Sequence, residues 1–184
     1  MGGTARQPRR SREDIVTAAV ALLDREGLPN LTMRAIGREL DVQPSALYWH
    51  YPNKQELLAA VADRIIEPVG EGGAPAAPRA LAERFRDSML SVTDGAEVVI
   101  STIALGLGAD RAYEGFRAAL IGQGREEAEA ALLATALVHY CLGHVSHEQQ
   151  RRQAERLGVA MSESRVSADA RTFRAGLDRL LGGA

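Results

Sequence analysis

The stretch Asp41-Val42-Gln43-Pro44-Ser45-Ala46-Leu47-Tyr48-Trp49-His50-Tyr51 constrains the chain more than any other. Pro44 suits the first position of a helix, where the N–H it lacks has no intrahelical partner. Leu47 is the one aliphatic residue of the short helix proper and reads as its inward anchor. Gln43, Ser45, Tyr48, Trp49 and His50 stand around it, each with a hydrogen-bond donor, and Trp49 is the chain's only tryptophan. A core helix would carry more aliphatic residues, and a solvated one more charge. Donors and aromatic rings exposed on a short helix suit the base edges and phosphates of duplex DNA.

The residues before this stretch supply two supporting helices. Ser11-Arg12-Glu13-Asp14 reads as a cap with acids in the first turn. Ile15, Ala18, Ala19, Leu22 and Leu23 then follow at i, i+3, i+4, i+7 and i+8, one face of an amphipathic helix. Gly27 stops it, and Leu28-Pro29-Asn30 connects to a second helix capped by Thr32, with Leu31, Ile36 and Leu40 inward. Asp41 falls at the turn into the third helix, where a left-handed residue is expected and Asp tolerates that conformation. Tyr51-Pro52 ends the third helix. Asn53-Lys54-Gln55-Glu56 reads as a capping box with Asn in the lead position, opening a fourth helix that buries Leu57, Leu58, Val61, Ala62 and Ile65.

The Gly/Pro/Ala-rich run Pro68–Pro78 marks a domain boundary. Beyond it, Leu81, Phe85, Met89 and Val92 share one side of a helix whose other side is Arg and Glu. Asp94-Gly95-Ala96-Glu97 reads as the cap of an apolar segment holding Val98, Val99, Ile100, Ile103, Leu105 and Leu107. This segment reads as a buried helix, with a strand over 98–103 as the alternative. Gly106 and Gly108 end it. Tyr113, Phe116, Leu120 and Ile121 form another apolar face, and Gly122-Gln123-Gly124 a turn. The longest helical pattern runs from Arg125 to Leu157, with Gly143 in its middle as a place for close helix packing. Ser167-Ala168-Asp169 opens a last helix with Phe173, Leu177, Leu180 and Leu181. The long and last helices, paired with those of a second copy, would complete a four-helix bundle. The expected organisation is a basic arm (1–10), a DNA-binding domain with its connecting helix (11–66) and an effector-binding and dimerisation domain (79–184), all α-helical.

Composition bears on this in three ways. Apolar residues make up 46% and aromatic ones 4% of the 184 residues, enough for a core and weighted toward helix formers. Net charge is −2, so any electrostatic footprint on nucleic acid must be local. One cysteine, Cys141, allows no internal disulfide and fits a reducing cytoplasm. No apolar run reads as long enough to cross a membrane. Arg6, Arg9, Arg10 and Arg12 have no apolar segment behind them and are no secretory signal. They read either as a solvated tail or as a basic arm touching phosphate or the minor groove.

Residues 11–66 resemble the DNA-binding domain of tetracycline-repressor (TetR) family transcription regulators. The resemblance is carried by Leu31-Thr32-Met33-Arg34-Ala35-Ile36, by Val42 with Ala46-Leu47-Tyr48-Trp49-His50-Tyr51, and by Asn53-Lys54-Gln55-Glu56-Leu57-Leu58. The second half is similar to the ligand-binding domain of the tetracycline-repressor subclass at Asp94-Gly95-Ala96, Leu142-Gly143 and Glu148-Gln149-Gln150. The resemblance implies an all-helical cytoplasmic homodimer, joined through the helices at 125–157 and 168–182, that binds a near-palindromic operator and is released by a small effector. It places Thr32 and Arg34 at the start of the second helix and Gln43, Pro44, Ser45 and Ala46 at the start of the recognition helix. Tyr48, Trp49 and His50 would reach backbone or bases, and Lys54 a phosphate; helix N-termini are ready phosphate sites. Met33 and Ala46 stand where that subclass has hydroxyls.

The same resemblance outlines an effector pocket of Phe85, Met89, Val99, Thr102, Ile103, Tyr113, Phe116 and His139. Tetracycline repressors hold their ligand through Mg²⁺ and a histidine; the matching position here is Val99, and Ile103-Ala104 replace an Arg-Pro pair. The expectation is an apolar organic effector with no metal and no cofactor. His144, His147 and Glu148 lie at i, i+3 and i+4 on one helix face with His139 off it, a set read as a polar stripe against a transition-metal site. Two other functions compete with this one: a DNA-binding module with a protein-interaction domain and no ligand, and a small helical enzyme using His139, Cys141, His144 or His147. For the enzyme there is no nucleophile–base–orienter set, no phosphate loop and no HExxH.

Overall fold

The computed structural model describes residues 10–70, 77–159 and 169–182. Every regular element among them is helical: α1 (Arg12–Glu26), a 3₁₀ turn (Leu28–Asn30), α2 (Met33–Glu39), α3 (Pro44–Tyr48), α4 (Lys54–Ile65), α5 (Glu67–Gly70), α6 (Pro78–Leu90), α7 (Gly95–Ala104), α8 (Asp110–Gly122), α9 (Glu127–Arg156) and α10 (Ala170–Leu180). The β-branched run 98–103 is therefore helical, and the strand alternative falls.

Local chemistry sets most helix ends. At α1 the Asp14 N–H donates to Ser11 Oγ and the Ser11 N–H to Asp14 Oδ2, a reciprocal cap whose backbone bond holds the Asp14 carboxyl below its usual range. Gly27 closes α1 at φ +77°. Thr32 caps α2 by accepting from Ala35 N–H, and Asp41 takes the left-handed turn at φ +53°. Asn53 Oδ1 caps α4 through Glu56 N–H, but the Glu56 carboxylate takes the Asn53 side-chain amide.

Several expectations change. The Pro68–Pro78 break begins with a helical turn, α5, because Val69 is buried and Pro68 sits where the first turn needs no N–H; residues 71–76 lie outside the described ones, as do residues 1–9, Ser167 and Ala168. Asp94 does not cap α7 with its side chain, for reasons given below. Leu105 is exposed rather than buried, past the end of α7. A Cβ on Gly143 would meet nothing within 4 Å, so no described helix of the same chain packs there. The helix α9 is, by length and composition, apolar enough to cross a membrane. It buries Ala134, Leu137, Val138, Cys141, Leu142 and Val145 against α6, α7, α8 and α10, which makes it the central core helix. Burial pushes the Cys141 thiol up to about 12.

The core is one continuous apolar cluster running from α1 to α10. Phe85 of α6 meets Phe116 of α8 edge to face at 6.2 Å. Tyr140 of α9 stacks on Phe173 of α10 at 5.5 Å and donates its hydroxyl to Phe173 O. A Cβ on Gly176 would lie 2.1 Å from the Tyr140 hydroxyl, so any larger residue there has to displace the Tyr140 ring. The polar side of α6 is only partly solvated. Arg86 is buried and pairs with the buried Glu148 at 2.7 and 3.0 Å, with its guanidinium 5.6 Å from the Phe173 ring centre.

Candidate nucleic-acid interface

α2 and α3 meet closely because Gly37 has no side chain: a Cβ would lie 2.9 Å from Val42 O, and Val42 N–H donates to Gly37 O at 2.9 Å. This contact and the left-handed Asp41 set the angle at which α3 leaves the turn. Leu47 is buried as the anchor of α3. Gln43, Ser45 and Ala46 are exposed, Tyr48 is 49% exposed and Trp49 90% exposed. Pro44 and His50 are half-buried. Large rings cost free energy in water, so a 90% exposed tryptophan beside an exposed tyrosine marks a contact surface.

The other expected residues lie at α2 and α4. Thr32, exposed, spends its oxygen on the α2 cap and keeps a proton to donate. Arg34 is exposed on α2, and Lys54 is half-buried at the first position of α4. A groove between α2 and α3 is lined by Arg34, Gly37, Arg38, Asp41, Val42, Gln43 and Pro44. Sequence reasoning missed Arg38 and Gly37. The spacing Gly37-x-x-x-Asp41 signals the tight turn; nothing local signals Arg38. The acceptor-rich backbone of DNA suits the Arg34 and Arg38 guanidinium groups.

The body of the molecule holds the remaining expected residues. Phe85, Met89, Val99 and Phe116 are completely buried and Thr102 nearly so; Ile103 and Tyr113 are half-buried against the same core. Burial, helped by the charge of Asp110, raises the Tyr113 hydroxyl above its ordinary range. His139 stands apart from these seven. It is exposed on the outward stripe of α9, since its neighbour Val138 occupies the buried phase of the helix. The residues at the tetracycline-repressor metal position do not fit Mg²⁺. Val99 and Ile103 offer no donor, and the Thr102 hydroxyl donates to Val98 O at 2.7 Å. Nor do His144, His147 and Glu148 form a metal cradle. Both Glu148 oxygens go to Arg86, one of them also to Arg152, His144 is bonded to Asp169 O and His147 is exposed. Among the described residues no group of three or more His, Cys, Asp or Glu is placed to hold a metal.

Two residues of the resemblance have structural roles that spacing does not reveal. Gln149 Oε1 accepts Ala96 N–H, and its Nε2 donates to Met89 O and Val92 O, fastening the end of α6 and the start of α7 to α9. Gly95 makes that turn possible, since a Cβ would lie 2.4 Å from Met89 O.

The chain matches the family model for the N-terminal domain of bacterial regulatory proteins of the tetR family over residues 15–61, and that for the tetracyclin repressor-like C-terminal domain over residues 69–175. It is 30% identical to the class E tetracycline repressor of Escherichia coli over 154 residues, covering 80% of this chain and 72% of the repressor. The crystal structure of Mycobacterium smegmatis BioQ superimposes with a TM-score of 0.82 at 38% identity, covering 95% of this chain and 97% of BioQ. BioQ bound to its double-stranded DNA operator superimposes with a TM-score of 0.74 at 37% identity, with the same coverage. Exposed α3 on a Gly37-tightened turn, the all-helical body and these matches along nearly the whole chain place it in the TetR family of DNA-binding transcription regulators.

Proposed function

We propose that this chain is a homodimeric repressor that binds a near-palindromic operator through α3 and leaves it when a small apolar effector enters the body. One observation carries the reading: the five-residue α3 turns Gln43, Ser45, Tyr48 and Trp49 to solvent while Leu47 alone anchors it. Thr32, Arg34, Pro44, Ala46, His50 and Lys54 complete the proposed contact set, and BioQ has been crystallised on operator DNA. The head, residues 11–66, includes α4, which packs on both α1 and α7. Asp63 of α4 accepts the Ala109 N–H at 2.9 Å, so a rearrangement at the α7–α8 loop pulls on the head. The typical coupling for such a device is ~1–3 kcal/mol.

The dimer reading is supported by an exposed stripe on α9, Leu132, Ala136, His139, Gly143 and His147, which none of the described residues covers at Gly143. Small residues allow a second long helix to approach, and a C2 pair would set two heads about 34–36 Å apart, one turn of DNA. Phe85, Met89, Val99, Thr102, Ile103, Tyr113 and Phe116 favour an apolar effector that needs no metal. As a DNA-binding regulator the chain acts in the cytoplasm.

The test is selection of bound fragments from the source organism's genomic DNA at physiological salt. A recovered near-palindrome supports the reading; fragments without symmetry, or none, overturn it. Gly143→Arg should convert the dimer to monomer in sedimentation and abolish operator binding. Effector-driven release should be unchanged by EDTA, and an EDTA-sensitive response would remove the metal-free effector from the proposal.

A further inference from the structure

We infer that the groove between α2 and α3 is a phosphate seat, in which Arg38 beside Arg34 holds a backbone phosphate of the operator strand bordering the bases that face Gln43. This rests on the DNA-binding reading above and adds to it a contact that the resemblance to the family does not supply.

The groove holds about 670 Å³, with Arg34 and Arg38 on its α2 side and Asp41 and Gln43 on the side of the turn. Its floor is fixed, because Val42 N–H donates to Gly37 O at 2.9 Å and Gly37 lacks the Cβ that would push the turn away. Arg34 and Arg38 stand one turn apart on α2, both exposed. Like charges at that spacing repel and weaken a helix. Among the described residues neither guanidinium makes a hydrogen bond or an ion pair.

The groups that could neutralise them are engaged elsewhere. Glu39, next in sequence to Arg38, is drawn to Arg25 of α1 at 2.8 Å. Leu40 O, at the end of α2, takes Nε and Nη2 of Arg10 at 3.3 and 3.1 Å. Glu13 and Glu67 are bound to Arg64, in the last turn of α4. Among the described residues lining the groove, Asp41 is the one acid, so two positive charges stand there against one negative. The whole chain carries −2, so phosphate is attracted only where cations gather without carboxylates. A guanidinium presents paired N–H donors that match two phosphate oxygens. Phosphate contacts fix the register of a protein on the duplex without reading sequence. Here that register is the one in which Gln43, on the same groove, meets the base edges.

The experiment measures binding of the full chain, Arg38→Ala, Arg38→Lys and Arg111→Ala to the selected operator and to an unrelated duplex, from about 50 to about 200 mM salt. Arg111 is an exposed cation of α8 with no ion pair among the described residues, so its variant removes the same charge from the body. Arg38→Ala should bind both duplexes ~10-fold more weakly, with the salt slope lowered by about one per protomer. Arg38→Lys should restore the slope and part of the affinity, because it keeps the charge and loses the fork. Arg111→Ala should leave the slope unchanged. A scan of single methylphosphonates, each removing one phosphate charge, should find a position in each half-site that weakens the full chain and leaves Arg38→Ala unaffected. Melting of Arg38→Ala should match that of the full chain, since no bond within the described protein is lost. An Arg38→Ala as tight as the full chain with the same slope overturns the inference and leaves the α3 reading intact. So does an equal change of slope in Arg111→Ala, or a set of methylphosphonate effects that all persist in Arg38→Ala. Failure of the full chain to select any operator overturns both.

Discussion

The carboxylate of Asp94, in the turn between α6 and α7, accepts a 2.8 Å hydrogen bond from the backbone N–H of Leu28, in the turn after α1. Beside it, Thr93 N–H donates to Asp24 Oδ1 and Thr93 Oγ1 to Asp24 O, at 3.0 and 2.9 Å. The end of the first helix of the head is thus latched to the body by neighbouring side chains. Asp94 holds φ +57°, a conformation that Asp and Asn tolerate better than Ala. Asp94→Ala should lose both the acceptor and the conformational fit, costing ~2–3 kcal/mol, while Asp94→Asn should keep most of the stability. Urea unfolding at fixed protein concentration measures both; an alanine variant as stable as the asparagine one would remove the latch.

Glu148 and Arg86 form the second relationship that the fold depends on. Glu148→Leu removes the buried carboxylate from Arg86 and leaves it only the exposed Asp87, at 2.8 Å, an expected loss of ~3 kcal/mol. Replacing both, Arg86→Met with Glu148→Leu, should regain most of that loss, because the desolvation of two charges disappears with the pair. A double variant as unstable as the single one would show that the pair is required for packing and not merely self-compensating.

His144 makes stability depend on pH. Its ring lies against Tyr140 and Phe173, with Arg86 and Glu148 nearby, and its Nε2–H donates to Asp169 O. Burial lowers its proton affinity, only partly offset by that bond and by Glu148. The unfolded chain takes up a proton near the ordinary value of ~6.5, and the folded chain only at lower pH. In the window below ~6.5 the unfolded state therefore binds more protons, and stability falls as pH falls. The urea midpoint should drop between pH 7.5 and 5.5, and His144→Gln should flatten part of that drop. An unchanged slope in the variant would assign the pH dependence elsewhere.

Trp49 is both probe and ligand of the DNA reading. Its 90% exposure predicts a red-shifted emission in the free protein that moves to the blue or is quenched on adding operator. Tyr48→Ala should reduce operator affinity at least tenfold with little change in melting, because the ring is half exposed. Lys54→Ala should weaken all duplexes alike and lower the salt slope by about one. A large fall in melting for Tyr48→Ala would mean that the ring holds the head together.

The sequence by itself determined the four helices up to Ile65 and the face of α3. Caps at Ser11, Thr32 and Asn53, the stop at Gly27, the left-handed Asp41 and the lone anchor Leu47 act through bonds and contacts within a few residues, so their pattern is written locally. What the tertiary structure alone decided lies at long range. Asp94 reads as a helix cap, yet its carboxylate crosses 66 residues to Leu28; Gln149 has no role that spacing reveals, yet it fastens α6 and α7. Arg86 reads as part of a solvated stripe until Glu148 is placed opposite it, and His139 turns away from the residues expected beside it. Each of these side chains is polar, and a polar side chain takes whichever complementary group the packed fold brings within 3 Å. Periodicity sorts apolar from polar positions, but it carries no record of partners that only folding makes neighbours.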